Sequence, residues 1–172
     1  MAKDSETMAG AGPFERLFEG AAEPMLVLGP GGELQLANAA CEALFARPRA
    51  DILGRSLRKT ALVEDAGEAD AFLAEIAAGH TARGRLMRAR RPDGGIVWVA
   101  WSAAPAAGES GVLVQLRDVT EEQRRAAHAE EIEAITGVGS YETDRVSGAL
   151  YWSPMTYRIH DADPDTYAPS VE

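Results

Sequence analysis

The chain has 172 residues, 46% of them apolar, and 27 acidic against 17 basic side chains give it a net charge of −10. This size predicts one well-buried domain with additional segments. The acidic balance argues against nucleic acid and against anionic membranes as partners, because phosphate binding needs concentrated positive charge. With no apolar run near the ~20 residues that span a bilayer, no signal peptide and a single cysteine, we expect a cytoplasmic protein.

Local signals divide the chain into a disordered leader (1–12), a domain (13–119), a helix (120–136) and a partial second domain (137–172). Glycine, proline and capping residues mark the boundaries of the elements in the first domain. Their order predicts an α+β fold, a five-stranded antiparallel sheet with helices on one face. The predicted elements are a short helix from Pro13, strands 24–28 and 33–37, a helix at 39–45 after Asn38, helical turns within 51–60, a helix at 64–78, and strands 84–91, 96–103 and 111–119.

The helix at 120–136 is polar and has only a thin apolar stripe, formed by Ala126, Ala129, Ile132 and Ile135. Such a narrow stripe is typical of a two-helix seam. The tail then repeats the opening of the first domain at an offset of about 116, so that Gly148 falls on Gly32 and Leu150 on Leu34. Isolated hairpins are marginal in water, so we expect the tail to be mobile or to borrow surface, and the chain to be part of a longer protein.

Five segments taken together resemble the PAS family: Glu-Pro-Met-Leu-Val-Leu (23–28), Gly-Glu-Leu-Gln-Leu-Ala-Asn (32–38), Ile-Leu-Gly-Arg-Ser-Leu (52–57), Pro-Asp-Gly-Gly-Ile-Val-Trp-Val (92–99) and Arg-Asp-Val-Thr-Glu (117–121). The resemblance implies a PAS fold with a C-terminal linker helix. Residues 137–144 and 150–153 resemble the start of another PAS repeat. In this family such modules usually precede histidine-kinase or cyclic-dinucleotide output domains.

The family's junction between its last strand and the signalling helix matches Asp118-Val119-Thr120. Thr120 is suited to cap the helix, and Asp118 places an acceptor beside the positive end of the helix dipole. We therefore interpret Asp118 and Thr120 as the signal relay, although a well-made helix start alone would need the same residues.

The resemblance also allows the family's cofactors to be tested against this sequence. The flavin photosensors need a cysteine where this chain has Leu57, and their flavin-binding amides correspond to Ala89, Val99 and Leu116. Haem-binding members need a histidine on the long helix, which has none; His80 follows it. We interpret Cys41 as a small buried residue and predict no flavin, haem or metal cofactor.

The alignment and strand alternation together predict the walls of a ligand cavity on one face of the sheet. Nearly all of these walls are apolar, and two interpretations stay open: a packed core without ligand, or a small apolar or amphipathic ligand. The predicted walls are Met25, Val27, Leu36, Leu57, Phe72, Ile76, Val97, Val99, Trp101, Val112, Val114 and Leu116.

Trp98 and Trp101 must point to opposite faces of their strand, so Trp98 is expected on the outer face. An outward tryptophan needs cover, which we expect from the first helix or from a second copy in a parallel homodimer. The predicted dimer and outer-face residues are Phe14, Leu17, Phe18, Trp98, Ile132 and Ile135. A basic cluster from Arg83 to Arg91 either protects a strand edge or docks an acidic partner or an anionic ligand.

Two functions remain for this sequence. The first is a dimeric sensory module that relays a signal through its C-terminal helix to an output domain, such as that of a sensor histidine kinase or a diguanylate cyclase. The alternative is a stand-alone PAS adaptor that regulates a partner by protein contact. The chain has no phosphate-binding glycine motif and no nucleophile–base pair, so we do not expect it to be an enzyme.

Overall fold

The computed structural model of the chain describes residues 12–105 and 111–170. The predicted leader, apart from Gly12, and most of the connection between the last two predicted strands lie outside these residues. The described residues form two compact units, which divide between Thr120 and Glu121.

The first unit contains the predicted five-stranded antiparallel sheet, which is confirmed, with the strand order β2-β1-β5-β4-β3. Two short 3-10 turns, Arg49–Asp51 and Leu57–Lys59, connect the second and third helices. The elements of this unit are α1 (Pro13–Gly20), β1 (Met25–Leu28), β2 (Leu34–Ala37), α2 (Ala39–Phe45), α3 (Ala66–Ala77), β3 (Ala82–Arg90), β4 (Ile96–Pro105) and β5 (Val112–Asp118).

Side-chain caps begin two of these helices. Asn38 Oδ1 accepts a hydrogen bond from the Cys41 N–H at 3.2 Å, and Asp65 Oδ1 accepts from the Gly67 N–H at 2.7 Å. The β1–β2 turn needs glycine at position 32, where φ is +76° and an added Cβ would lie 2.8 Å from the Leu73 side chain. The turn is therefore packed directly against α3.

The core of the first unit lies between the sheet and helices α2 and α3. Trp101 on β4 is completely buried, and its ring centroid lies 5.6 Å from that of Phe72 on α3 and 6.4 Å from that of Phe45 on α2. Leu57, Ile76, Val97, Val99, Val114 and Leu116 belong to the same buried cluster, and Val112 packs against it.

The predicted orientation of the first two strands is wrong. Leu26 and Leu34 face the core and are completely buried, whereas Leu36 is 43% exposed and pairs with the half-buried Val27 on the outer face; Met25 is also only half-buried. Because every residue of β1 is apolar, its sequence shows no alternation from which the inner face could be read. The register shift between Val27 and Leu28 adds an irregularity that a strict two-residue period cannot represent.

The second unit begins within α4 (Thr120–Thr136) and continues with β6 (Tyr141–Thr143), β7 (Leu150–Trp152) and α5 (Pro154–Ile159). The two strands pair antiparallel, and Ser153 caps α5 by accepting a hydrogen bond from the Thr156 N–H. Across residues 12–105 and 111–170, the helices are all too short or too polar to cross a bilayer.

Candidate relay site

The junction between the sheet and α4 is built from three hydrogen bonds. The Trp98 N–H donates to Thr120 Oγ1 at 3.0 Å, and the Val119 N–H donates to the Trp98 carbonyl at 2.9 Å. The Thr120 N–H in turn donates to Asp118 Oδ1 at 2.9 Å. The Thr120 hydroxyl, expected to cap the helix, is thus bonded to the backbone of β4 near the start of that strand. Any displacement of β4 at Trp98 acts directly on the first residue of α4.

The Trp98 side chain lies on the outer face, opposite Trp101. The guanidinium carbon of Arg88 lies 5.6 Å from the centroid of its ring, a cation–π arrangement that covers part of the indole. Arg88 Nε also lies 3.4 Å from Glu64 Oε2, just before α3. The Arg88 guanidinium therefore connects the Trp98 ring on the outer face to Glu64, just before α3.

The inner side of β4 is dominated by Trp101. Its indole Nε1 is buried and has no hydrogen-bond partner among residues 12–105 and 111–170. A buried N–H without an acceptor costs about 1–3 kcal/mol. This N–H is a polar group within the otherwise apolar core behind the relay site.

A half-open cleft of about 520 Å³ lies at one end of the core. Of the predicted cavity walls, Ile76 and Val112 line this cleft, whereas Phe72, Val99 and Trp101 fill the packed core. Its other walls are the turn from Gly29 to Gly32, Leu73, Ala74, Ala77 and Gly111. The cleft therefore lies at the edge of the predicted cavity and not at its centre.

The positions tested for cofactors are apolar or unreactive. Leu57 is completely buried at the position of the flavin-adduct cysteine. Burial raises the pKa of the Cys41 thiol to about 12, and its Sγ–H donates to the Met25 carbonyl at 3.1 Å. The thiol therefore stays protonated at neutral pH. His80 is exposed beyond the end of α3. The described residues contain no group of three potential metal ligands.

The predicted dimer residues divide into exposed and buried ones. Phe14 and Leu17 are 57% and 75% exposed, and Ile132 and Ile135 are also exposed. Phe18 was wrongly predicted for an outer interface, because it is 6% exposed and packs into its own unit, with its ring 5.8 Å from that of Phe14.

Asn38 has a larger role than the helix cap expected from the sequence. Its Nδ2 donates to the carbonyls of Phe18 and Glu23, at 3.1 and 2.9 Å, and its Oδ1 accepts from the N–H groups of Met25 and Cys41. This buried side chain therefore joins α1, β1 and α2. An asparagine before a helix was the only sequence signal for it, since the carbonyl partners have no side-chain signature.

The basic cluster on β3 is paired with carboxylates. Arg85 forms an ion pair with Glu75 at 3.0 Å, and both Arg88 and Arg90 pair with Glu64. β3 is an edge strand, and charged side chains on an edge oppose pairing with another chain. These contacts favour edge protection over docking of an acidic partner.

Comparisons with known proteins agree with this architecture. The family model described as the PAS fold matches residues 18–124. The PAS domain of an HTR-like protein from Haloarcula marismortui is 23% identical, with 66% of this chain and 98% of that chain covered and a TM-score of 0.53. A domain of a sensory box sensor histidine kinase/response regulator from Geobacter sulfurreducens is 23% identical, with 61% and 90% covered and a TM-score of 0.53.

An RNA-binding light-oxygen-voltage receptor is 26% identical, with 77% of this chain but only 39% of that chain covered and a TM-score of 0.61. A search of curated proteins finds no match. The likeness to the solved structures below 25% identity shows the fold. The family model covers more than half of the sequence, and its five-stranded antiparallel sheet is present here with helices packed on it. The chain therefore belongs to the PAS family.

Proposed function

We propose that this chain is a cytoplasmic sensory module that dimerises and relays a signal through α4 to an output domain, that of a sensor histidine kinase. The observation that carries the proposal is the hydrogen bond from the Trp98 N–H to the Thr120 hydroxyl, which joins the sheet to the first residue of α4. PAS domains with similar structures come from sensor histidine kinases, which supports this type of output. In this proposal the chain itself has no catalytic activity.

The relay works by coupling strand position to helix position. Thr120 is 9% exposed, so its hydroxyl has little water available to replace the Trp98 N–H if the two separate. The Asp118 carboxylate accepts a hydrogen bond from the Thr120 N–H, at the positive end of the α4 dipole. A shift of β4 therefore either moves the start of α4 with it or breaks a buried hydrogen bond.

Dimerisation supplies the second part of the proposal. Phe14 and Leu17 present apolar side chains on α1, and Ile132 and Ile135 present them on α4. Large apolar side chains exposed together on one helix are typical of an interface. Parallel pairing of α4 with its copy would deliver a change at Thr120 to both output domains at once.

The input is proposed to be a small molecule with an apolar body and one hydrogen-bond acceptor. The Trp101 Nε1–H has no acceptor among the described residues, which supports a hydrogen-bond acceptor on the ligand. The apolar side chains around Trp101 support an apolar ligand body. Native mass spectrometry read against the denatured mass tests this input. Extra mass lost on denaturation supports it, whereas an empty protein, also after incubation with cell extract metabolites, contradicts it.

The tail is proposed to be the beginning of a second PAS repeat. Its hairpin and its Ser153-capped helix α5 follow the order of β1, β2 and α2. In this arrangement α4 is both the exit helix of the first repeat and the entry helix of the second, which is how a relay between tandem sensory modules would be connected.

Disulfide cross-linking along α4 tests the relay. Single variants Ala129→Cys, Ile132→Cys and Ile135→Cys are oxidised in otherwise wild-type protein, because Cys41 is buried and protonated and does not compete. We expect cross-linked dimers from Ile132→Cys and Ile135→Cys. Adding Thr120→Val, which removes the acceptor for the Trp98 N–H, should change the cross-linking yields by several fold.

Thr120→Ser is the matched control, because it keeps the hydroxyl and should retain the wild-type yields. A protein that stays monomeric in analytical ultracentrifugation and forms no cross-links contradicts the dimer. A dimer whose cross-linking is the same with valine and with serine at position 120 contradicts the relay through this hydroxyl.

A further inference from the structure

A row of contacts crosses the sheet from the segment before α3 to the start of α4. The Glu64 N–H donates to the Arg88 carbonyl at 2.6 Å, at the outer edge of β3. Arg88 stands directly opposite Trp98 in the register of β3 and β4. On the other side of β4, the Trp98 N–H donates to Thr120 Oγ1 and the Trp98 carbonyl accepts from the Val119 N–H. The row therefore connects Glu64 with the first residue of α4.

One step of this row, between Arg88 and Trp98, is made by side chains. In an antiparallel ladder the N–H and C=O groups of one residue point to the same side of the strand. Those of Trp98 point toward the start of α4, and the Arg88 carbonyl points toward Glu64. Arg88 and Trp98 are therefore a non-hydrogen-bonded pair, the type in which opposite side chains approach most closely.

The Arg88 guanidinium spans this step. Its carbon lies 5.6 Å from the centroid of the Trp98 ring, within the range of a cation–π contact. Its Nε lies 3.4 Å from Glu64 Oε2, a buried oxygen that accepts no hydrogen bond among residues 12–105 and 111–170. Because a buried carboxylate oxygen without hydrogen bonds depends on a nearby positive charge, Glu64 holds the guanidinium beside the Trp98 ring.

Arg90 allows an internal comparison, because it contacts Glu64 and not Trp98. It pairs with the other carboxylate oxygen, Oε1, and stands opposite Ile96 in the register. The side chains of Arg88 and Arg90 are similarly exposed, at 51% and 53%. Exposed ion pairs by themselves contribute little to stability. A difference between the two arginines would therefore come from the contact with the indole.

The segment before α3 connects the row to the core. Val63 is buried in the core cluster, and Glu64 follows it directly. Helix α3 carries Phe72, which packs in the core, and Ile76, which lines the half-open cleft. A shift of α3 caused by a ligand in the core or in the cleft would therefore move Glu64, and Arg88 with it.

We infer that Arg88 is a positioning residue of the relay, because it couples the position of Glu64 to that of Trp98. The Trp98 N–H then passes the shift to the Thr120 hydroxyl. The inference deepens the proposed relay through Thr120 and rests on it. It separates the arginines of β3 by role, since Arg88 acts on the start of α4 and Arg90 does not.

Amide hydrogen exchange, measured by NMR on the whole chain, tests the inference. The reporters are the Trp98 and Val119 amides, which form the bonds at the end of the row. Arg88→Leu keeps an apolar side chain and removes the cation, so both amides should exchange about 2- to 5-fold faster, as for loss of an exposed cation–π contact. Arg90→Leu is the matched control, which removes an ion pair with Glu64 and should leave both rates unchanged.

A double-mutant cycle tests the transmission from Glu64. Glu64→Gln removes the charge that holds Arg88 and keeps the backbone N–H, so the Trp98 amide should exchange about 2-fold faster. In the Arg88→Leu background, Glu64→Gln should add nothing further. No effect of Glu64→Gln, or the same effect in both backgrounds, overturns the inference, because Glu64 would then not act on Trp98 through Arg88.

The Asn38 amide, bonded to the Met25 carbonyl toward the other edge of the sheet, reports on the stability of the whole unit and should not change. Equal acceleration in the two arginine variants, or equal acceleration of the Asn38 amide, also overturns the inference, because the sheet as a whole has then been loosened. The exchange rates are measured without cross-linking. Cross-links that ignore position 120 contradict the relay, whereas an unchanged Trp98 amide in Arg88→Leu contradicts the role of Arg88 alone.

Discussion

The two hairpin–helix segments of this chain, residues 25–52 and 140–167, have matching backbone hydrogen bonds and different surroundings. In the first, Asn38 is completely buried, and in the second Ser153, 115 positions later, holds the equivalent bonds near the surface. The comparison separates two contributions that are usually mixed. Turn and capping residues are sufficient to specify the local backbone, whereas the stability of the segment depends on what covers its apolar face.

The largest expected difference is between the two capping residues. Asn38→Ala removes the side-chain partner of the Phe18 and Glu23 carbonyls and of the Met25 N–H, while the Cys41 N–H keeps the carbonyl of residue 38. We expect this change to lower the free energy of unfolding of the first unit by about 4 kcal/mol. Ser153→Ala removes an acceptor that water can replace, so its cost should be about 1 kcal/mol or less. Urea denaturation followed by tryptophan fluorescence measures the first cost, and amide exchange in β6 and β7 measures the second.

Asn38→Ser provides the control, because it installs the residue that the tail uses. Serine retains one acceptor but cannot donate to the Phe18 and Glu23 carbonyls, so its cost should lie between those of the wild type and Asn38→Ala. A cost of Asn38→Ala as small as that of Ser153→Ala would show that burial does not distinguish the two sites.

Much of this comparison is predictable from the sequence, because its determinants are local. Asn38 and Ser153 each stand directly before a predicted helix, and the glycines at 32 and 148 align at the offset of the repeat. A glycine at positive φ and a capping side chain act on neighbouring residues, so their effect can be read from a short window. The family resemblance extends this to the sheet and to the Asp118–Thr120 junction.

The walls of the cavity were predicted less well, for reasons that are equally physical. On β4, alignment at Trp98 set the phase, and Val97, Val99 and Trp101 do face the core. On β1 no polar residue marks the phase, and on β2 the alternation around Gln35 is broken by the register shift opposite Val27 and Leu28, so the predictions for Met25, Val27 and Leu36 are wrong. That Trp101 would fill the centre of the core depends on tertiary packing with Phe45 and Phe72, which no local pattern contains.

For an equivalent pair of apolar side chains, the expected difference in free energy of unfolding is smaller than for the two capping residues. Leu26→Ala opens space in the packed core and should cost about 3 kcal/mol. Tyr141→Ala removes a side chain that is 74% exposed, and its effect on stability should be within about 0.5 kcal/mol. Chemical denaturation and β6 amide exchange again provide the two measurements. A cost above about 1 kcal/mol for Tyr141→Ala, on the order of a core contact, would mean that its face is already covered in the isolated protein.

The two turn glycines are expected to differ by less. Both have positive φ, +76° at Gly32 and +72° at Gly148, so alanine should cost about 1–2 kcal/mol at either position through backbone strain. At Gly32 the new Cβ also meets Leu73 at 2.8 Å, whereas nothing lies within 4 Å at Gly148. We therefore expect Gly32→Ala to cost about 1 kcal/mol more than Gly148→Ala. The double variant Gly32→Ala/Leu73→Ala should recover the steric part only, and equal costs for the two single variants would contradict the packing of the turn against α3.

The smallest expected effect concerns the one contact in which the two segments differ in charge. Position 133, which corresponds to Phe18, is a glutamate whose carboxylate accepts a hydrogen bond from the Ser140 hydroxyl. Hydrogen bonds from the side chains of Ser140 and Ser153 lower the pKa of Glu133 below its ordinary value of 4.5. The first segment uses the Phe18 carbonyl instead, which does not titrate. Through this contact, only the stability of the tail should therefore depend on pH, and that of the first segment should not.

Because the pKa of Glu133 is lowered in the folded tail, its contribution is present above pH 4.5 and is lost as the pH falls through the lowered value. The Ser147 hydroxyl and the Val146 N–H likewise lower the pKa of Asp144 in the β6–β7 turn, so one carboxylate on α4 and one in the turn have lowered pKa values. In NMR titrations, Glu133→Gln should remove part of the acid-induced loss of β6 structure, and adding Asp144→Asn should remove most of the rest. Glu131→Gln, on the same helix, should leave the wild-type profile unchanged. A Glu133→Gln profile that matches the wild type would show that Ser153 and Ser140 hold the hairpin without this carboxylate.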